Sequence, residues 1–162
     1  MKLIINIFVY ILLIMHSLSF ANNNLITLDE LKSLDSNVEK LEKLEKNDFR
    51  ISLPITKKNH DMDFYEWSFQ NSLKISYQGI PEPNIKKKVF PDVLIVPICG
   101  FDNNKFRLGY GGGFYDRYIQ KISKIKKVVK VGLAFSFQKL KTIPVNKHDK
   151  KLDIIITEKE II

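Results

Sequence analysis

The sequence is poor in cysteine, and this scarcity excludes several kinds of site. Cys99 is the single cysteine among 162 residues, so the chain can form no internal disulfide and no multi-cysteine zinc site. It directly follows the apolar run Val93–Pro97, which predicts a buried structural thiol. Nothing next to it in the sequence supplies a base or a cation to activate the thiol, so a nucleophilic role is not expected.

A hydrophobic run long enough to cross a bilayer comfortably is also missing. The apolar run Leu3–Met15 follows a positive charge at Lys2. Small residues at Ser19 and Ala21 occupy the positions three and one before a potential cleavage site, a pattern typical of an export signal over residues 1–21. The same apolar letters also suit a central strand, so a surrogate strand of the domain is the alternative interpretation.

Residues 22–49 carry the pattern of an amphipathic helix. Thr27 and Glu30 have the spacing of a capping box, in which each side chain satisfies a backbone N–H of the helix start. Pairs of Glu and Lys four residues apart add favourable contacts. The apolar residues at 3-4-3 spacing are Leu31, Leu34, Val38 and Leu41. We expect a helix of about five turns that packs on another part of the protein.

Positive charge predominates in the composition. The 26 Lys and Arg residues against 18 Asp and Glu residues give a net charge of +8. Such a balance fits nucleic acid, an anionic membrane surface or a polyanionic ligand such as a nucleotide, without choosing among them. It is equally consistent with a lysine-rich surface that keeps the protein in solution. The hydrophobic content of 44% is that of a globular protein.

From Arg50 onward, short apolar runs alternate with a helical pattern, which indicates α/β architecture. The spacing of apolar residues predicts a helix over Phe114–Ile122. The near-continuous run Asp92–Pro97 is typical of a strand buried on both faces of a parallel sheet. Further strands are predicted over Arg50–Pro54, Asp63–Phe69, Val128–Phe135 and Leu152–Thr157. Trp67 is assigned to the core and Lys86–Lys88 to a solvated loop.

The segment Arg107–Arg117 holds four of the seven glycines of the chain and carries the clearest chemical signal. It follows a predicted buried strand and opens into the predicted helix. Clustered glycines let the backbone approach a ligand closely, and the N–H groups and dipole of a helix start favour an anion there. Arg107 can add a bidentate phosphate contact. Asp116, in the first helical turn, can hold a magnesium ion or its bound water.

General nucleotide motifs are absent from this segment. It has no Gly-Lys-Ser/Thr of the Walker type, and Phe114 stands where the third glycine of a dinucleotide fingerprint belongs. Glycine clusters also form structural turns, so by these rules phosphate binding and a structural turn are equal alternatives. The chain shows no recognisable Ser-His-Asp or Cys-His constellation.

Several other stretches accompany the glycine segment in a recognisable order. Val96–Asp102 precedes Arg107–Arg117. The remaining stretches are Leu53–Pro54, Met62–Phe64, Gly79–Pro83, Val131–Phe135 with Gln138, Ile143–Pro144, His148–Asp149, Leu152–Asp153 and Ile156–Glu158. Together they closely resemble the signature of the 5-formyltetrahydrofolate cyclo-ligases (methenyltetrahydrofolate synthetases) over about Arg50–Ile162.

This resemblance implies a single α/β domain, with a mostly parallel sheet flanked by helices and the ligand at the carboxyl ends of the strands. It implies ATP-dependent closure of 5-formyltetrahydrofolate to 5,10-methenyltetrahydrofolate, with release of ADP and phosphate. The nucleotide would contact Arg107, Leu108, Gly109, Tyr110, Gly111, Gly112, Gly113, Phe114 and Tyr115. The folate would contact Gly109, Tyr110, Gly111, Gly112 and Gly113. Asp116 and Asp149 match the magnesium-binding aspartates, although Asp149 by itself suits a turn and His148 a loop.

The first 49 residues lack two features that members of this family usually carry. These are a Lys-x-x-Leu-Arg-type motif that contacts ATP and a folate-contacting glutamate, for which Glu30 is the nearest but poorly matched candidate. One alternative is therefore a truncated or rearranged relic with weak or absent cyclo-ligase activity. A basic nucleic-acid-binding module is the rival from another class, although no RNA-binding aromatic signature occurs.

Cellular location follows from the implied chemistry. Because ATP and reduced folates are cytoplasmic, we expect a cytoplasmic protein that acts on these small molecules. No nucleic-acid partner and no stable membrane association are expected. Export of a chain beginning at Asn22 is the alternative.

Overall fold

The computed structural model describes residues 4–6, 50–68, 70–84 and 87–162. The strands are β1 (Ile4–Asn6), β2 (Arg50–Thr56), β3 (Met62–Trp67), β4 (Leu73–Ile75), β5 (Pro81–Pro83), β6 (Lys88–Val89), β7 (Val93–Val96), β8 (Gly100–Phe101), β9 (Arg107–Leu108), β10 (Val129–Leu133) and β11 (Ile154–Ile156). An α-helix, α1, covers Phe114–Ile122, and a 3₁₀ helix covers Ser136–Gln138.

A seven-stranded sheet with the order β11-β10-β7-β1-β2-β3-β6 forms the centre of the fold. Its strands from β11 to β2 are parallel, whereas β3 and β6 extend it in antiparallel pairing. The chain places β2 and β7 on opposite sides of β1, so the direction of winding reverses between β1 and β7. In open parallel sheets such a switch point leaves a ligand crevice at the carboxyl ends of the strands. β7 leads from this edge into the glycine segment.

The predicted helix is confirmed at both of its ends, and the strands predicted from Arg50 onward are confirmed within two residues. Trp67 is buried, as predicted. The solvated-loop prediction is wrong for Lys88, because its backbone pairs with β3 and its ammonium group lies 2.8 Å from a carboxylate oxygen of Asp63. In the described part of the chain, α1 is the one α-helix, so helices on both faces of the sheet stay a prediction.

Two predictions for the start of the chain fall largely outside the described residues. The signal-like segment 1–21 is described over Ile4–Asn6 alone, which forms the central strand β1. The helix predicted within residues 22–49 lies outside the described residues altogether. Across the described ranges, no helix combines the length and the apolar character that a membrane span requires.

The helix α1 packs on the sheet through an aromatic contact. The rings of Tyr118 and Phe64 meet edge to face, with centroids 4.6 Å apart. Asp116 in the first turn and Lys121 in the last complement the helix dipole. The buried side chains of this helix are Tyr115, Tyr118, Ile119 and Ile122. The amphipathic pattern seen in the sequence is therefore what fixes α1 against the sheet.

A buried carboxylate also ties α1 to the sheet. Asp63 is 3% exposed, and its oxygens lie 3.2 Å from the ammonium nitrogen of Lys57 and 2.8 Å from those of Lys88 and Lys121. Burial by itself raises the pKa of Asp63, but hydrogen bonds from the three lysines outweigh burial and lower it to about 2. Burial, with the nearby charge of Asp63, raises the pKa of Tyr118.

Candidate active site

The loop from Gly109 to Gly113 connects β9 to α1, and its glycines meet different constraints. Gly111 and Gly113 have φ values of +82° and +64°, in the left-handed region that favours glycine. A Cβ at Gly112 would lie 2.8 Å from ring carbons of Phe114. A Cβ at Gly109 would meet no heavy atom within 4 Å, and its φ lies outside the left-handed region. The fold itself therefore requires glycine at the last three positions but leaves open space at Gly109.

This loop delivers the start of α1 to the carboxyl edge of the sheet. Gly113 is the N-cap, no side chain caps the helix, and the first helical bond runs from the Arg117 N–H to the Gly113 carbonyl oxygen at 3.1 Å. The N–H groups of a first turn have no acceptors inside their own helix. Together with the helix dipole, they favour an anion at this point. The predicted arrangement of glycine loop and helix start is confirmed.

Arg107 and Asp116, both predicted as site residues, contact each other directly. The Nη2 of Arg107 lies 2.9 Å from Oδ2 of Asp116, and its Nη1 donates to the Lys150 carbonyl oxygen at 3.1 Å. The Lys150 N–H donates to the other Asp116 oxygen at 3.0 Å. The Arg107 side chain is 5% exposed and that of Asp116 is 20% exposed. In this conformation Arg107 therefore holds the carboxylate in place from the protein side.

Asp149 precedes Lys150 in the chain, which brings it to the neighbourhood of Asp116. Its Oδ2 accepts the Asn146 N–H at 2.6 Å, and its own N–H donates to the Asn146 carbonyl oxygen at 3.1 Å. Asp149 thus closes a turn, as its residue type suggests. Among the described residues, no group of three or more His, Cys, Asp or Glu side chains gathers into a metal site.

The two predicted aspartates are nevertheless of the residue type that magnesium prefers. Mg²⁺ in nucleotide sites usually takes one or two protein carboxylates, completed by phosphate oxygens and water. Asp116 and Asp149 supply two carboxylates, and their present partners leave lone pairs on each of them. A cluster of three protein ligands is not needed for this kind of ion.

The remaining predicted residues lie around the loop at different depths. Tyr110 is 61% exposed, whereas Tyr115 is 8% exposed and packs edge-on against Phe64, with ring centroids 6.5 Å apart. Phe114 is half-buried beside His60, with ring centroids 5.5 Å apart. Leu108 lies in β9 and pairs with Gly100 of β8. Tyr110 is thus accessible at the loop, while Tyr115 supports it from the core.

The prediction of a buried Cys99 is wrong, because its thiol is exposed. Strand β7 ends at Val96, and the chain then leaves the sheet at its carboxyl edge. The Cys99 N–H donates to the Leu108 carbonyl oxygen at 2.9 Å, and the Cys99 thiol lies near the Tyr110 hydroxyl, where it helps to raise the pKa of Tyr110 after the larger effect of burial. Cys99 therefore lies beside the glycine loop.

Three residues near the loop were missed as site residues. The Arg117 guanidinium donates to the His60 carbonyl oxygen at 3.0 and 3.1 Å and also to that of Gly112, which fixes the loop against the β2–β3 turn. Gln138 donates from Nε2 to the Ile98 carbonyl oxygen at 3.0 Å and to that of Cys99 at 3.3 Å. Arg117 and Gln138 belong to the motif stretches, whereas nothing local in the sequence marks His60.

Fold and loop together define an α/β protein with a glycine loop and an uncapped helix start at the carboxyl edge of a parallel sheet. The sequence profile of the 5-formyltetrahydrofolate cyclo-ligase family matches residues 34–158. The chain therefore belongs to this family. The match begins at residue 34, within the stretch 22–49 that shows none of the family's recognisable N-terminal motifs.

Individual relatives agree with this assignment. The chain is 36% identical over 109 residues to the 5-formyltetrahydrofolate cyclo-ligase of Haemophilus influenzae, covering 64% of this chain and 57% of that protein. It is 35% identical over 103 residues to the enzyme of that name from Escherichia coli, covering 60% and 56% of the two. In structure it resembles Aquifex aeolicus 5,10-methenyltetrahydrofolate synthetase, with a TM-score of 0.62 and 30% identity over 76% of this chain and 62% of that one. The matched part thus spans less than two thirds of each relative.

Proposed function

We propose that this protein converts 5-formyltetrahydrofolate to 5,10-methenyltetrahydrofolate at the expense of ATP, releasing ADP and phosphate. The observation that carries this proposal is the loop Gly109–Gly113. It lies within the part of the chain that the family profile matches, and its glycines and uncapped helix start favour an anion at the carboxyl edge of the sheet. ATP and reduced folates are cytoplasmic, so we propose the same location for the protein.

The chemistry asks the protein chiefly for positioning and for neutralisation of charge on the transferred phosphoryl group. The N–H groups of the loop and of the first turn of α1 would hold phosphate oxygens. Gly109 offers the open side of the loop, where a ligand can approach the backbone without meeting a side chain. The folate would share this loop, which places the formyl oxygen near the phosphate that it attacks.

We assign Asp116 and Asp149 to magnesium, which when bound would neutralise negative charge on the phosphates. The buried Arg107 keeps Asp116 in a fixed orientation through the 2.9 Å ion pair. A guanidinium has five N–H donors, and the contacts to Asp116 and Lys150 use two of them. Donors therefore remain for the phosphate contact that we propose for Arg107.

Purified full-length protein tests the proposal in two stages. Thermal unfolding with ATP and Mg²⁺, and separately with 5-formyltetrahydrofolate, should show an increase in Tm, because ligands that bind the folded state stabilise it. Absorbance of the methenyl product should then rise in the complete mixture. An increase in Tm without product would identify the inactive relic. No increase in Tm with either ligand, but salt-dependent binding of an oligonucleotide, would favour the nucleic-acid-binding module.

The variant Gly109→Ala tests the loop itself. The added methyl group meets no protein atom within 4 Å, so the Tm without ligand should stay the same or rise slightly. If a ligand approaches the backbone here, the Kd for ATP-Mg²⁺ should increase on the order of tenfold, as expected when a tightly packed contact gains a methyl group. Asn103→Ala, at the exposed tip of the β8–β9 hairpin, is the control. Equal Kd values for both variants would show that the phosphates of ATP do not bind at this loop.

A further inference from the structure

Two exposed phenylalanine rings stack on each other at the carboxyl end of β10. Phe135 is 47% exposed and Phe137 is 80% exposed, although both are large and apolar. Their centroids are 5.5 Å apart and their planes are inclined by 11°. Single exposed apolar side chains are common on protein surfaces. A nearly parallel pair is different, because it presents an ordered aromatic face to the solvent.

The turn that carries these rings is fixed from two sides. Gln138 accepts the Phe135 N–H at 2.7 Å and donates to the carbonyl oxygens of Ile98 and Cys99. On the other side, the Ser136 N–H donates to Glu158 at 2.9 Å, and the Ser136 hydroxyl donates to the second oxygen of the same carboxylate. These contacts lower the pKa of Glu158. Ordering of this turn therefore precedes any ligand, which reduces the entropy that binding would cost.

A short series of contacts joins this turn to the glycine loop. Gln138 donates to the carbonyl oxygen of Cys99 at 3.3 Å, and the Cys99 N–H donates at 2.9 Å to the carbonyl oxygen of Leu108, the residue before the loop. β10 also lies beside β7 in the sheet, with Gly132 opposite Val96 at the carboxyl end. The aromatic pair and the anion-binding loop thus occupy the same edge of the sheet.

We propose that Phe137, supported by Phe135, is a stacking platform for the planar aromatic ring of a ligand whose anionic group lies at the glycine loop. Base–aromatic stacking tolerates different rings, because every heteroaromatic base presents a π face. This inference rests on the proposed function, in which both ligands carry such a ring. The adenine of ATP and the ring system of the folate share the chemistry, and separate titrations distinguish them.

Substitution of Phe137 tests the platform in the full-length chain. Because the side chain is 80% exposed, Phe137→Ala should leave the Tm without ligand unchanged. The Kd of the ligand that stacks should rise on the order of tenfold, while that of the other ligand stays the same. Phe137→Leu should weaken binding similarly because it lacks a π face, and Phe137→Tyr should retain it. Ile125→Ala removes another exposed apolar side chain, just beyond α1, and serves as the control.

Calorimetric titration with ATP-Mg²⁺ and with 5-formyltetrahydrofolate then decides the outcome. A loss confined to ATP assigns the platform to the base, and a loss confined to the folate assigns it to the folate ring. Unchanged Kd values for both ligands would overturn the platform and leave the proposed function intact. Failure of the unmodified protein to bind either ligand would overturn both. Phe137→Trp adds an independent signal, because the one native tryptophan, Trp67, is buried and a stacked indole changes its emission.

Discussion

Replacement of Asp63 by asparagine should weaken the attachment of α1 to the sheet. The carboxylate is buried and faces three ammonium groups, from Lys57, Lys88 and Lys121. Asparagine has nearly the same shape, so the change removes the charge and little of the packing. The side chains of the three lysines are each between 39% and 49% exposed, so water compensates part of the interaction that they lose with the carboxylate. The Asp63 carboxylate is only 4% exposed and has little contact with water.

The magnitude follows from the pKa of Asp63, which falls from 3.8 to about 2 in the folded protein. A difference of about 1.8 units corresponds to roughly 2.5 kcal/mol, since one unit is about 1.4 kcal/mol. Because the folded pKa lies below the unfolded one, this stability is present above about pH 4 and is lost as the pH falls toward 2. Asp63→Asn should therefore unfold with about 2 kcal/mol less free energy at pH 7.

Urea unfolding at pH 7 and at steps between pH 4 and pH 2 measures both effects. The difference in unfolding free energy between the unmodified protein and Asp63→Asn should shrink across this window. Glu66, whose pKa is also lowered to about 2, chiefly by its hydrogen bond from Arg50, titrates in both proteins and cancels. The control is Asp61→Asn, an exposed carboxylate two residues away. A difference that stays constant between pH 4 and pH 2 would refute this explanation.

Two further substitutions test the site and the packing beneath it. Asp116→Asn leaves the buried charge of Arg107 without its counterion, so we expect a loss of about 3 kcal/mol in unfolding free energy together with a weaker dependence of ATP binding on Mg²⁺. Unchanged Mg²⁺ dependence would mean that Asp116 pairs with Arg107 and stabilises the helix start but holds no magnesium. Gly132→Ala puts a Cβ 2.3 Å from Cδ1 of Ile98 and 2.7 Å from that of Leu152. It should cost about 1–3 kcal/mol, and an unchanged Tm would show that both side chains move aside freely.

The spacing of apolar residues and glycines in the sequence predicted the helix and the buried strand correctly. The helix over Phe114–Ile122 follows from its apolar spacing, and the glycines before it fix where it begins. The buried strand β7 follows from a continuous apolar run, with Leu94 and Val96 fully buried. The exposure of the Cys99 side chain could not be predicted in the same way. Whether a residue after an apolar run continues a strand or leaves the sheet depends on neighbouring strands that are distant in sequence.

The candidate site was predictable in its parts but not in its internal contacts. The glycine loop and Asp116 were found from spacing and from the family resemblance. The pairing of Asp116 with Lys150 spans 34 residues, and that of Asp63 with Lys121 spans 58. Such pairs are set by the topology of the sheet, which no window of sequence contains. The same holds for Phe137, whose significance depends on its place at the carboxyl edge.

The central strand β1 is synthesised well before the two strands with which it pairs. Ile5 lies opposite Ile51 on one side and opposite Val93 on the other, so neither partner exists when β1 is made. At a synthesis rate of 5–20 residues per second, the second partner follows after roughly ten seconds. Until then β1 lacks at least one of its two strand partners. A cut after Ala21 would deprive β2 and β7 of their shared neighbour and leave two rows of unpaired backbone groups. If residues 1–21 served as an export signal, cleavage would therefore remove a strand on which the sheet depends.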